Sequence, residues 1–261
     1  IYNDKLPNPV QDLDCKCLAI AAAEVYTANG LKVYFFDAVR STPQLSFTIR
    51  YLNAVGGDMF SASHNLPTDN GKKVYDQFGG QLVPPYDQIL VDEVTKNVTE
   101  IKTLEFQKAK LTGLIKILGN DIDDYYIDAV CRVSLSDNRS AKIVYSPLHG
   151  TGLTSIYPIL KKLGFNITLD PKTSNLSGAF ENVTFNIPNP EVIQSFDSSL
   201  AYAKSTGADI LINSDPDADR IGIMVNHKNL WTYLTGNEIA IILTEYGICK
   251  FKSKKLLTKD S

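Results

Sequence analysis

Three short apolar runs constrain the fold more than any other feature: LKVYFFD (31–37), AKIVYS (141–146) and ADILINS (208–214). Each is too short for a stable helix, too uniformly apolar for a strand with one wet face, and ends at a loop of polar, Pro or Gly residues. Strands buried on both faces of an α/β sheet read this way. Stretches of helical character lie between the runs, and such alternation predicts an α/β fold with a parallel layer.

Punctuation marks the elements. An apolar helix reads from Leu13 to Ala28, closed by Asn29-Gly30, and Thr42-Pro43 opens a second through Ala54. Gly56-Gly57 leads into the short strand-like Asp58-Met59-Phe60, followed by a polar turn, SASHNLPTDNGKKVY (61–75). Pro84-Pro85 starts a helix to Asn97, residues 100–140 read as a connecting segment with a helix around Asp121–Arg132, and then the rhythm restarts. PLHGTG (147–152) is a tight strand–helix turn, Leu153–Leu163 a helix, FNITLD a strand, and Pro188-Asn189-Pro190 opens a helix to Lys204. IGIMVN and LWTYL are strands around a His-Lys-Asn turn, and a helix begins at Thr235. The stretch KFKSKKLLTKDS reads as the beginning of a strand.

With 261 residues the chain has room for about two domains. A net charge of −3 gives no electrostatic reason to expect a nucleic acid or an anionic membrane as partner. No apolar run approaches the ~20 residues of a membrane span. The start, IYNDKLPNPVQDLD, lacks the pattern of a signal peptide, so the expected compartment is cytoplasmic. Both ends look cut. Cys15, Cys17, Cys131 and Cys249 are too scattered for a disulfide framework and are expected to be free, buried thiols.

Two loops carry chemistry. Asp215, Asp217 and Asp219, in DPDADR (215–220), follow a buried strand, where open α/β sheets place ligands. Alternate residues of an extended segment share a side, so the three carboxylates can converge, and oxygen donors suit Mg2+ better than Zn2+. A solvated acidic turn is the plain alternative. An EF-hand is excluded, because its sixth and twelfth positions fall on Arg220 and Asn226 instead of Gly and Glu. Arg220 beside three carboxylates points to an anion such as phosphate joining the metal. In the other loop, Ser63 as a free hydroxyl would need a base, whereas a phosphorylated serine needs its leaving oxygen stabilised by a cation. His64 and Lys72 or Lys73 could then donate protons or hold phosphate, although alone the histidine reads as structural and the lysines as a solvated pair.

Ser-Ala-Ser-His-Asn, Asp-Asn-Gly-Lys-Lys-Val-Tyr, Ser-Pro-Leu-His-Gly-Thr-Gly, Asp-Pro-Asp-Ala-Asp-Arg and Leu-Thr-Gly-Asn-Glu-Ile occur in the order found in the α-D-phosphohexomutase superfamily. The chain resembles its phosphoglucomutase/phosphopentomutase branch over nearly its whole length, which implies successive mixed-sheet α/β domains with helices packed on both faces. The resemblance implies that Ser63 carries the phosphoryl group, that Ser63 with Asp215, Asp217 and Asp219 holds Mg2+, and that Arg220 lies near the phosphoserine. His64, Asn65 and Lys73 would line the reaction centre, with Lys73 as acid/base. It implies intramolecular phosphoryl transfer through a sugar 1,6-bisphosphate, which also serves as activator, between glucose 1-phosphate and glucose 6-phosphate. Residues 1–100 would be domain 1 without its start, 101–227 domain 2, and 228–261 the opening of domain 3. Departures are Leu66 between Asn65 and Pro67, and the absence of the upstream arginine with its Gly-Thr-Ser-Gly segment. The Gly-Glu-x-Ser sugar loop and the fourth domain are also absent, so the 261-residue chain alone is expected to be inactive.

Rival readings are a phosphopentomutase, a glucose 1,6-bisphosphate synthase, a catalytically idle relative that binds sugar phosphate or a partner protein, and a haloacid-dehalogenase-like phosphatase with Asp215 as nucleophile. Neither the oligomeric state nor the preferred sugar is readable.

Overall fold

The computed structural model describes residues 13–256; the opening stretch at 1–12 and the last residues, 257–261, lie outside it. The chain forms two compact units that divide between Tyr126 and Ile127.

The first unit begins with α1 (Cys15–Ala28), whose N-terminal amides are capped by Asp14: its carboxylate accepts the Cys17 N–H at 2.7 Å. β1 (Val33–Phe36) follows, then α2 (Thr42–Tyr51), β2 (Gly56–Phe60), β3 (Lys72–Asp76), α3 (Tyr86–Asn97), α4 (Phe106–Leu111) and β4 (Ile115–Leu118), and the division falls within α5 (Asn120–Cys131). β1 and β4 pair in parallel, while β2 and β3 form an antiparallel hairpin. Alternation along β1 serves two cores. Val33 and Phe35 pack with Ala23 of α1 and Ala109 of α4, and Phe36 packs with Leu45 and Ile49 of α2. Leu45, Thr48 and Ile49 are the buried stripe of α2 at helical spacing. Arg40 is buried and forks onto Asp123, with Nε–Oδ1 at 2.6 Å and Nη2–Oδ2 at 2.8 Å, and reaches Asp37 at 2.9 Å. Burial opposes its charge, but the two carboxylates outweigh that and raise the guanidinium pKa.

The second unit is built on one five-stranded sheet in the order β6-β5-β7-β8-β9. These are β5 (Lys142–Ser146), β6 (Asn166–Leu169), β7 (Ile210–Ser214), β8 (Ile221–His227) and β9 (Leu230–Leu234). β5 runs parallel to β6 and β7; β8 and β9 are antiparallel additions. Val144 and Leu211 meet Phe196 and Ala203 on one face, where α7 (Asp197–Thr206) packs. Ile143 and Tyr145 point the other way, onto Ile156 and Leu160 of α6 (Ile156–Lys162). The sheet is thus covered on both faces, which explains the unbroken apolar runs. α8 (Gly236–Ser253) starts with a capping box in which Thr235 and Glu238 bond each other's backbone N–H.

Several expectations need correction. Lys72–Asp76 is a strand, not part of a long turn, and 101–118 contains α4 and β4 in place of a plain connection. The helix predicted from Pro188 starts only at Asp197, after a 3-10 turn at Ile193–Phe196. Two prolines within three positions hold their predecessors away from helical geometry. In the stretch read as the beginning of a strand, α8 continues to Ser253, and 257–261 lie outside the described residues. All four cysteines are free, but none is buried; Cys17 and Cys249 are exposed. Among the described residues no helix is long and apolar enough to cross a membrane.

Candidate active site

In the first unit the hairpin β2–β3 presents the loop 61–71. Its mouth is closed where the Ser61 N–H donates to the Gly71 carbonyl at 2.9 Å, continuing the β2–β3 ladder. Ser63 occupies the left-handed region (φ 56), rare for a residue with a side chain. Its N–H donates to Ser61 Oγ at 2.9 Å, and the Asn65 N–H donates to the Ala62 carbonyl at 3.1 Å. His64 Nδ1 lies 3.4 Å from Ser63 Oγ, a long contact that a proton-transfer pair can shorten. Ser63 and His64 are half-buried, and Asn65 and Leu66 are exposed.

The two lysines separate by strand alternation. Lys72 pairs with Phe60 in the ladder and lies 3.2 Å from Asp58 and 3.0 Å from the Tyr26 hydroxyl. Burial works against its charge, yet Tyr26 and Asp58 prevail and its pKa is raised. The Tyr26 pKa is raised as well, by burial and by its bond to Asp58. Lys73 pairs with Met59 and shares that face with Tyr75, opposite Lys72.

In the second unit the aspartate loop follows β7. Asp215 is fully buried, and its Oδ1 accepts the N–H groups of Asp219 (3.1 Å) and Arg220 (3.0 Å). Ala218 turns the chain at φ 57, with its N–H donating to the Asp215 carbonyl at 3.0 Å. Asp217 is 5% exposed, whereas Asp219 and Arg220 are exposed. The donor set is all oxygen and suits a hard cation. Among the described residues, however, no three His, Cys, Asp or Glu side chains are gathered into a group that could hold a metal ion by themselves. Asp215 is turned inward to the amides of its own loop while Asp219 faces outward.

The turn 147–152 lies directly against this loop. Thr151 donates to the Pro216 carbonyl twice, from its N–H at 2.8 Å and from Oγ1 at 2.7 Å. A Cβ on Gly150 would collide with the Pro216 Cα, so the two backbones approach as only glycine permits. The sequence identifies the turn but not its contact. The available signal is a Gly-Thr-Gly run directly after a buried strand.

A mixed sheet covered on both faces, with a carboxylate loop at a strand's end, and a hairpin that displays a serine make this an α/β fold with two polar loops. The models of phosphoglucomutase/phosphomannomutase α/β/α domain I and domain II match residues 13–100 and 124–228. The chain belongs to that family, within the α-D-phosphohexomutase superfamily. It is 38% identical to a phosphomannomutase of Mycoplasmoides pirum over 77% of this chain and 37% of the relative. It is 34% identical to a phosphoglucomutase of Staphylococcus saprophyticus over 94% of this chain and 46% of the relative. The chain therefore spans less than half the length of these relatives. A crystal structure from Thermus thermophilus, of a protein described as a phosphomannomutase, superposes with a TM-score of 0.67 at 24% identity. That match covers 80% of this chain and 45% of the other, and shows the shared fold.

Proposed function

We propose that the chain is the part of a phosphosugar mutase that bears the phosphoryl carrier and the metal loop, and that the whole enzyme interconverts glucose 1-phosphate and glucose 6-phosphate. The observation that carries this is Ser63, held in a left-handed backbone on a hairpin loop with His64 Nδ1 beside its Oγ. In this reading the Oγ–P bond of phosphorylated Ser63 breaks as a sugar hydroxyl bonds to phosphorus, and the hydroxyl proton passes to Lys73. The reverse transfer, from the other hydroxyl of the bisphosphate, restores phosphoserine. Such transfers rest on positioning and charge neutralisation more than on covalent help from the protein. Lys73 is preferred over Lys72 because it falls on the lysine of the Asn-Gly-x-Lys turn in the family resemblance. His64 sits where it can give a proton to, or take one from, Ser63 Oγ, and Asn65 and Arg220 are exposed donors suited to phosphate oxygens.

Asp215, Asp217 and Asp219 are the residues proposed to hold Mg2+, which when bound neutralises phosphoryl charge. One or two carboxylates suffice, because Mg2+ keeps waters and takes phosphate oxygens as ligands. A sugar 1,6-bisphosphate is the proposed activator, since it phosphorylates a Ser63 that lacks its phosphate.

The test is a coupled assay of the full-length protein with glucose, mannose and ribose phosphates, beside phosphopeptide mapping. Wild type should carry one labile phosphate on Ser63, and Ser63→Ala should lose turnover by several orders of magnitude. Normal flux in Ser63→Ala would overturn the reading, and loss confined to Asp215→Asn would favour the aspartyl phosphatase. Turnover fastest on ribose phosphate would move the assignment to a phosphopentomutase. Ligand binding without interconversion would make the protein an idle relative.

A further inference from the structure

Asp215 is flanked by two anchors, and both come from the segment that ends β5 and forms the turn after it. On its N-terminal side, Ser214 Oγ lies 2.7 Å from the Tyr145 hydroxyl, with both residues fully buried. On its C-terminal side, Pro216 has no N–H and can be held through its backbone only at the carbonyl. That carbonyl receives both donors of Thr151, at 2.8 and 2.7 Å, while the backbone of Gly150 closes against the Pro216 Cα. We infer that Thr151, together with the Tyr145–Ser214 pair, is a positioning device for the aspartate loop: it fixes the Pro216 peptide and so sets where the carboxylates of Asp215 and Asp217 point. The use made of those carboxylates rests on the mutase reading; the clamp itself does not.

The Thr151 hydroxyl is the separable part. Its N–H would keep one bond to Pro216 if the hydroxyl were lost, so the turn need not unfold. Outer partners that orient metal ligands are worth at least about tenfold in metal affinity. Thr151 touches neither phosphate nor metal in this scheme and acts through Pro216.

The experiment uses the full-length protein as wild type, Thr151→Val, Thr151→Ser and Tyr145→Phe. Two quantities are read: amide hydrogen exchange at Asp219 and Arg220 without added metal, and Mg2+ affinity by calorimetry. Thr151→Val should speed exchange at those two amides, which bond to Asp215 Oδ1, and weaken Mg2+ binding about tenfold. Thr151→Ser should restore both. Tyr145→Phe, which breaks the other anchor, should speed the same two amides and serves if Thr151→Val does not fold. Exchange at wild-type rates in Thr151→Val or Tyr145→Phe, or a serine variant that restores nothing, would overturn the clamp. A wild type that takes up no Mg2+ would refute the metal assignment, and the exchange rates would still decide the clamp.

Discussion

The serine loop and the aspartate loop are held by different means. Bonds within loop 61–71 join Ser63 to Ser61, Asn65 to Ala62, and Ser61 to Gly71 across one hairpin, and Asn70 meets Cys15 Sγ of α1. The loop's residues are half-buried or exposed, and its unusual feature is the left-handed backbone at Ser63. Loop 215–220 is tied to another segment, with its first carboxylate fully buried and its proline pinned by Thr151. In the proposed mutase, a residue that accepts and releases a phosphoryl group would gain from a loop that can adjust. Carboxylates that share a cation would gain from one that cannot. Backbone placement would do the first task, and packing the second.

The largest test of this contrast is a pair of glycine substitutions. Gly150→Ala drives a methyl group into the Pro216 Cα, where backbone faces backbone and neither side can yield by rotation. It should cost about 3 kcal/mol or more of the second unit's stability, as overpacking against a fixed backbone does. Gly71→Ala places its methyl 3.1 Å from the Ser61 carbonyl oxygen, a contact that a small loop shift relieves. A cost of about 1 kcal/mol or less is expected there. Urea midpoints measure both, and equal losses would break the distinction between a rigid and a yielding loop.

A smaller effect is expected at Ser63. The left-handed backbone is unfavourable for alanine by about 1–2 kcal/mol and free of that penalty for glycine. Ser63→Gly should therefore be more stable than Ser63→Ala by about 1 kcal/mol, although both lack the hydroxyl. Identical midpoints would mean that the loop relaxes without strain.

The smallest effect depends on pH and belongs to the first unit alone. Tyr26 and Lys72 both titrate above their ordinary values in the folded chain, so folding retains their protons. Their contribution is complete below about pH 10.0, the ordinary value for tyrosine, and is lost as pH rises through the raised values. Denaturant midpoints on either side of that pH should fall on the alkaline side, and Tyr26→Phe should flatten the decline. A decline unchanged in Tyr26→Phe would assign it elsewhere.

The buried strands were readable because β5 and β7 are covered on both faces, which confines polar residues to the strand ends and leaves an apolar run between them. The aspartate loop was readable for a related reason: three carboxylates and an arginine directly after such a strand have no ordinary packing role. β3 was hidden by composition. Lys72 and Lys73 follow Asn70-Gly71, so the segment looks like a continuing turn until its pairing with β2 puts the two lysines on opposite faces. The same pairing puts Lys72, and not Lys73, on the face of Asp58 and Tyr26, which their adjacency in sequence could not show. The link between Thr151 and Pro216 was out of reach because it runs to a backbone carbonyl, a group every residue carries and no side-chain motif advertises.

The Thr151–Pro216 bond also spans 65 positions along the chain. The hairpin around Ser63 can close as soon as β3 exists, since every partner named for it, Tyr26 included, lies within or before that strand. The aspartate loop has to wait until β5, its following turn and β7 have all been made and brought into register. During synthesis from the N-terminus, the serine would be in place while the carboxylates were still on unassembled chain. Contacts between distant segments are also the slow ones to form. A newly made molecule would therefore pass through an interval with its Ser63 hairpin built and its aspartate loop unbuilt, and the closing of the Thr151–Pro216 bond would mark the end of that interval.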